Sequence, residues 1–154
     1  MKGDTDESQF LPLLFILSIV LSMNINYSYE RKPATQQVIE LYDLSGLPRP
    51  TNDFTRIEKM YAHSNLIVTA WDGDALVGVS RSITDWFRSC YLADLAVHPD
   101  YKKMGIGKKL VALTKEKIGD QTMLLLLSVP SAMEYYPKIG LIKEDRAFTI
   151  LRTK

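Results

Sequence analysis

The sequence predicts an α/β fold built on a mixed sheet, and three observations carry that prediction. Runs rich in β-branched and aromatic residues alternate with stretches whose apolar residues recur at helical spacing. Two β-rich runs flank Asp72-Gly73-Asp74, a hairpin signal. The run "SCYLADLAV", the helical pattern after it and the apolar run "TMLLLLSV" form a strand–helix–strand unit, which closes as a right-handed crossover between parallel strands.

In chain order, "NINYSYE" (24–30) alternates and reads as the first strand. Pro33 suits an early helical position, "ATQQVIELYDLS" continues that helix and Gly46 stops it. "LPRPTND" is a loop in which Asn52 or Asp53 can cap a second helix, "FTRIEKMYAHS". "LIVTAWDGDALVGVSRSIT" supplies the hairpin strands, and a turn over Asp85–Arg88 leads to the fourth strand, 89–97. Ile106, Leu110 and Leu113, extended by Val111 and Ile118, mark a third helix that ends at Gly119. "TMLLLLSV", apolar on both faces, reads as a buried strand; "SAMEYYPKIG" is a short helix and "RAFTILR" a last strand.

A chain of 154 residues can bury a full core, and its net charge of +1 argues against a dominant nucleic-acid footprint. One cysteine excludes an intrachain disulfide, and two histidines leave no convincing ligand cluster, so no metal is expected. A reducing cytoplasm is consistent with this. The run "FLPLLFILSIVLSM" (10–23) is shorter than the roughly 20 apolar residues that span a bilayer. Lys2 is followed by Asp4, Asp6 and Glu7, and there is no A-x-A cleavage pattern, unlike a secretory signal. Residues 1–23 read as an apolar extension, with a membrane anchor or a natural start at Met23 as the other readings. A single domain over 24–154 follows.

The stretch "DLAVHPDYKKMGIGKKL" (94–110) crowds Lys102, Lys103, Lys108 and Lys109 around a helix start, where the helix dipole already supplies roughly half a positive charge. Glycines there let a ligand approach the backbone. An anion with several phosphate charges would turn that repulsion into attraction. The P-loop needs four residues between its glycines followed by Lys-Ser/Thr, and the dinucleotide fingerprint needs a glycine where Leu110 stands, so both fail.

"YLADLAVHPDYKKMGIGKKLV" resembles the acetyl-coenzyme A signature of the GNAT superfamily of N-acetyltransferases, with its Arg/Gln-x-x-Gly-x-Gly/Ala helix opening. "AMEYYPKIGL" resembles the second family signature, Ala-x-x-x-Tyr-x-x-x-Gly-Phe. The resemblance covers residues 24–154. It implies the GNAT fold, a mixed sheet of about six or seven strands flanked by about four helices. The fourth and fifth strands should splay around the cofactor cleft. Acetyl-coenzyme A would be the co-substrate, transferred directly to a primary amine of a small molecule or peptide, and homodimers are compatible with the family. Its cradle would be the backbone of Leu95, Ala96 and Val97 with Lys102, Lys103, Met104, Gly105, Ile106, Gly107 and Lys108. Tyr136 falls on the general-acid position, with Tyr135 beside it as a packing aromatic. Lys102 stands where the family usually has Gln or Arg, Val129 where many members have Asn, and Leu141 where Phe is usual. A coenzyme A-binding protein without turnover is the other reading of the same cradle.

A carboxylate in an apolar strand is costly unless paired, so Asp94 reads either as the general base or as a structural group that satisfies backbone or binds Arg81 or Arg88. Cys90 reads as a small buried hydrophobe, His98 as a loop residue and His63 as a helix end. Tyr61, Trp71, Asp85, Trp86 and Phe87 are candidates for an aromatic and acidic acceptor rim suited to a cation, or for packing.

Overall fold

Apolar alternation and helical recurrence place the strands and long helices where expected in a computed structural model, which describes residues 24–153. The run 10–23 and the readings of Met23 lie outside the described residues. β1 (Ile25–Ser28) leads to α1 (Thr35–Ser45) and α2 (Phe54–Ala62), then to β2 (Leu66–Asp72), β3 (Ala75–Thr84) and β4 (Ser89–Val97). α3 (Ile106–Ile118), β5 (Met123–Leu126) and the single-turn α4 (Tyr135–Lys138) complete the order. Pro33 lies just before the first helix, whose cap is Ala34, with its amide held by the Gln37 side chain. Gly46 closes that helix at φ 74°, a left-handed turn that glycine adopts freely. Asp53 caps α2 by accepting the Arg56 amide.

The strands lie in sequence order in one sheet, antiparallel except for the parallel β4–β5 pair. α1 and α2 cover one face through Val38, Leu41, Tyr42 and Ile57 against Trp71, Leu76, Val79 and Ala96. α3 covers the other through Ile106, Leu110 and Ile118 against Leu66, Val68, Ala70, Val77 and Cys90. Gly78 lets α3 settle onto β3: a Cβ there would lie 2.9 Å from Ile106 Cγ2 and 3.0 Å from Leu110 Cδ1.

The pairing of β3 with β4 skips one residue. Arg81 faces Asp94 and Ser82 faces Leu92, so Ala93 is the extra residue of a β-bulge. A bulge reverses the alternation of side chains. Cys90, before it, packs on the α3 face, and so do Leu95 and Val97 after it, while Ala96 joins the α1–α2 face. Asp94 is thereby turned toward α1 and α2. Its carboxylate, fully buried, meets Arg81 Nε and Arg49 Nε, each at 2.5 Å, and accepts the Tyr42 hydroxyl at 2.8 Å. Tyr42 and Tyr61 hydroxyls share a hydrogen bond, and Arg81 Nη1 donates to Ser64 Oγ. Two helices, a loop and two strands are therefore tied to one carboxylate. Burial by itself would push the Asp94 carboxyl up, but the hydrogen bond and charge of Arg81, then Arg49 and Tyr42, hold it below the usual carboxylate range.

The C-terminal part corrects the expectation of six or seven strands. The described residues hold five, and "RAFTILR" forms none. A strand needs a neighbour for its backbone as well as alternating side chains, and this segment has none. Phe148 and Ile150 are almost wholly exposed. β5 is shorter than its sequence suggested and forms an edge of the sheet rather than a buried strand; Met123 and Leu127 are exposed.

Gly78→Ala is expected to lose about 1–3 kcal/mol in denaturant unfolding, because Ile106 and Leu110 must retreat. Asp94→Asn strands two guanidiniums in or beside the core, with an expected loss of about 3–5 kcal/mol. Because the folded carboxyl is held below its unfolded value, its contribution is fully present above about pH 4–5 and fades as pH falls through the folded value. Unfolding midpoints measured from pH 7 to pH 3 should show that loss in the wild type, and Asp94→Asn should lack this component of it.

Candidate active site

The site begins where β4 and β5 part. They pair over Ser89–Leu92 and Met123–Leu126, and β4 then continues alone on that side through Val97. The bulge at Ala93 and the end of β5 both fall at this point, so the splay has a local cause. The backbone of Leu95, Ala96 and Val97 lies along the opened stretch; the Leu95 and Val97 side chains pack against the α3-side core.

Beyond β4 the chain makes a short turn over Pro99–Tyr101, in which His98 Nδ1 accepts the Asp100 amide. The Tyr101 hydroxyl donates to Asp72 at 2.7 Å, anchoring the loop to the β2–β3 hairpin. Lys103 has φ 66° and Gly105 φ 79°, with Met104 of ordinary hand between them. Such alternation turns successive amides toward one point. A left-handed lysine costs about 1–2 kcal/mol, which glycine at 105 avoids. The backbone hydrogen bonds flanking this turn are donated by Lys102 and Lys109; none is donated by the amides from Lys103 to Lys108 among the described residues. Those amides open α3, where the dipole adds positive potential.

Lys102, Lys103, Lys108 and Lys109 are exposed around this turn, and none meets a carboxylate among the described residues. Free amides, a helix N-terminus and unpaired ammonium groups suit a diphosphate. The gap beside β4 suits an extended, amide-bearing arm that hydrogen-bonds like a strand. The residues present therefore fit acetyl-coenzyme A.

The two neighbouring tyrosines of α4 have different surroundings. A Cβ on Gly107 would stand 2.6 Å from the Tyr135 hydroxyl and 3.7 Å from Val97, so Tyr135 reaches the cradle itself. Sequence reasoning assigned it only to packing. Tyr136 packs edge-on against it, with ring centroids 5.4 Å apart. Burial pushes the Tyr136 phenol up, the Tyr135 ring adds to this and the charge of Arg49 pulls it back. Tyr136 thus remains protonated at neutral pH and within the field of Arg49 on the α1–α2 loop.

Asp94 is found in the second of its two expected settings, paired with arginine. Its carboxylate is enclosed and already accepts from Arg49, Arg81 and Tyr42, which takes three of its roughly four lone-pair sites. Of its expected partners Arg81 is present; the other is Arg49, which sequence reasoning missed. The acceptor rim does not assemble either. Trp71 is core, with Arg31 stacked 3.7 Å from its ring centroid. Asp85 accepts the amides of Phe87, Arg88 and Ser89; these bonds, led by Ser89, pull its carboxyl down to about 2. Trp86 packs on the α3-side core and Phe87 is exposed; Tyr61 alone joins the Asp94 network. Cys90 is buried, and burial pushes its thiol up, which suits packing and not nucleophilic attack.

Comparison with known proteins agrees with this geometry. The chain is 25% identical over 134 residues to a ycf52-like N-acetyltransferase of Prochlorococcus marinus, itself uncharacterised, covering 82% of this chain and 74% of that one. The fold matches a probable acetyltransferase of meticillin-resistant Staphylococcus aureus with a TM-score of 0.73, at 20% identity, over 85% of this chain and 99% of that one. It also matches the aminoglycoside N-acetyltransferase AAC(6')-Iy, solved in complex with CoA, with a TM-score of 0.64, at 12% identity, over 85% of this chain and 96% of that one. The model of the acetyltransferase (GNAT) family matches residues 35–141. With a splayed β4–β5 pair, a lysine-rimmed helix mouth and a tyrosine turn, the chain belongs to the GNAT family and is an acetyltransferase.

Proposed function

We propose that residues 24–154 act as one N-acetyltransferase domain that moves the acetyl group of acetyl-coenzyme A directly to a primary amine of a small molecule or peptide. The observation that carries this reading is the run of free amides from Lys103 to Lys108, rimmed by unpaired lysines, beside a β4 strand that has lost its neighbour. Acetyl-coenzyme A would lay its diphosphate on that turn and its pantetheine arm along Leu95–Val97.

The amine nitrogen then attacks the thioester carbonyl carbon from the α1–α2 side. A C–N bond forms, the C–S bond breaks, the amine's proton passes to water, the thiolate takes the Tyr136 phenolic proton and water returns a proton to the phenolate. Backbone N–H groups around Leu95 offer hydrogen bonds to the charge that develops on the carbonyl oxygen. No metal enters this scheme. A reducing, cytoplasmic setting suits the lone buried thiol.

The test is a panel of amines with acetyl-coenzyme A, followed by thiol release. Tyr136→Phe is expected to lower kcat by about 10²–10⁴-fold and leave the KM for acetyl-coenzyme A near wild type. Tyr135→Phe, at Gly107, should act chiefly on that KM. Wild-type turnover untouched by Tyr136→Phe removes the acid assignment and spares the enzyme. Coenzyme A binding by calorimetry without thiol release across the panel would instead assign a binding protein without turnover.

A further inference from the structure

Arg49 sits in the α1–α2 loop between Pro48 and Pro50; Pro50 narrows the Arg49 backbone to extended conformations and Pro48 fixes its own φ. The loop is held further by Thr51 N–H on Arg49 O at 2.8 Å, Asp53 N–H on Pro50 O at 3.0 Å and Thr51 Oγ1 on Asp43 at 2.6 Å. From this stiff base the guanidinium makes two contacts with consecutive residues of the bulge. Nη2 donates to the Ala93 carbonyl at 2.8 Å and Nε to Asp94 Oδ1; Nη1 turns back to Pro48 O. The Ala93 carbonyl belongs to the residue that the β3–β4 ladder skips between Leu92 and Asp94, just past the last pair with β5. Arg49 thus holds the carbonyl of the bulged residue and the carboxylate of the next one together, and a planar fork is needed to reach both groups.

The arginine also sets the local charge. Facing it are Asp94 from β4, Arg81 from β3, Tyr42 from α1, Tyr61 from α2 and Tyr136 from α4. On its own loop, Asp53 caps α2 and Asp43 is held by Thr51. The phenols are neutral, so two guanidiniums share one carboxylate and one positive charge remains. The Arg49 side chain keeps 21% of its surface exposed, whereas Asp94 has none. The charge that meets an entering amine is therefore cationic, and a like charge disfavours the ammonium form.

We propose that Arg49 is a positioning residue for acetyl transfer, holding the β4 bulge in its splayed geometry and lowering the proton affinity of the bound amine in place of a dedicated carboxylate base. This rests on the splay being the transfer site. It also favours amines that enter neutral, or that carry an anionic group, over polycations.

The experiment uses the full chain, acetyl-coenzyme A and the best amine from the panel, with kcat measured from pH 6 to pH 10 for wild type, Arg49→Gln and Arg49→Lys. Arg49→Gln is expected to lower kcat by about 10–100-fold with the KM for acetyl-coenzyme A within about threefold. It should also move the acid limb of the kcat profile about one pH unit upward, because the bound ammonium is no longer disfavoured. Arg49→Lys keeps the charge and loses the fork, so its limb should stay at the wild-type position while kcat remains low. A limb that does not move in Arg49→Gln, or a kcat restored in full by lysine, overturns the proposal. Should Arg49→Gln fail to fold, Arg49→Lys decides alone: low kcat with the limb in place supports the proposal, and wild-type kcat overturns it. A wild type that neither binds coenzyme A nor releases thiol defeats the transfer reading itself, an outcome separate from any of these.

Discussion

A single buried carboxylate organises the α1–α2 side of this protein. Asp94 is inaccessible to solvent, and a lone ionised carboxyl in that place would be untenable. It is stable there because Arg81, Arg49 and Tyr42 converge on it, and each arrives from a different element. The arrangement works in both directions. The cations make the carboxylate tolerable, and the carboxylate fixes the loop and helices that carry them. Buried ion pairs are weak evidence for stability, but they impose a specific geometry when each member has only one way to be satisfied. Here that geometry sits one residue from the point where the sheet opens.

The mouth of α3, the proposed cofactor cradle, is organised differently. It relies on backbone amides, two left-handed residues and the end of a helix, with lysines acting as loosely held charges at the rim. Preorganised amides cost nothing to reorient when charge arrives, whereas flexible ammonium groups adapt to it. The bulge in β4 joins the two, since its residues face the Asp94 network on one side and the end of the β4–β5 pairing on the other.

Much of this was legible in the sequence because it depends on local rules. Gly46, Gly119, Asp53 and Asp72-Gly73-Asp74 act through backbone conformation or short-range hydrogen bonds, and each is where its neighbours place it. Lys102–Lys108 could be read as an anion cradle because the glycines and lysines are contiguous. Arg49 could not: 44 residues of chain separate it from Ala93, and only the fold brings them together. The acceptor rim misled for the same reason. Trp71 and Asp85 have the right chemistry, but one faces the core and the other folds back on its own turn. The last strand failed because alternation describes one face of a strand and says nothing about whether an edge is available for its backbone.

The bulge gives β4 an unusual evolutionary grammar. Ala93 contributes a carbonyl and a change of count, and neither depends on its side chain. Its identity is accordingly free to drift within the space around it, while its presence is not. Delete it, and Asp94 still follows Leu92 onto the α1–α2 layer opposite Arg81, but the bulge and the carbonyl that Arg49 holds are lost with every side chain of the Asp94 network still encoded. Homologues aligned by residue type alone would hide that loss, and a gap of one in this strand is more telling than many substitutions.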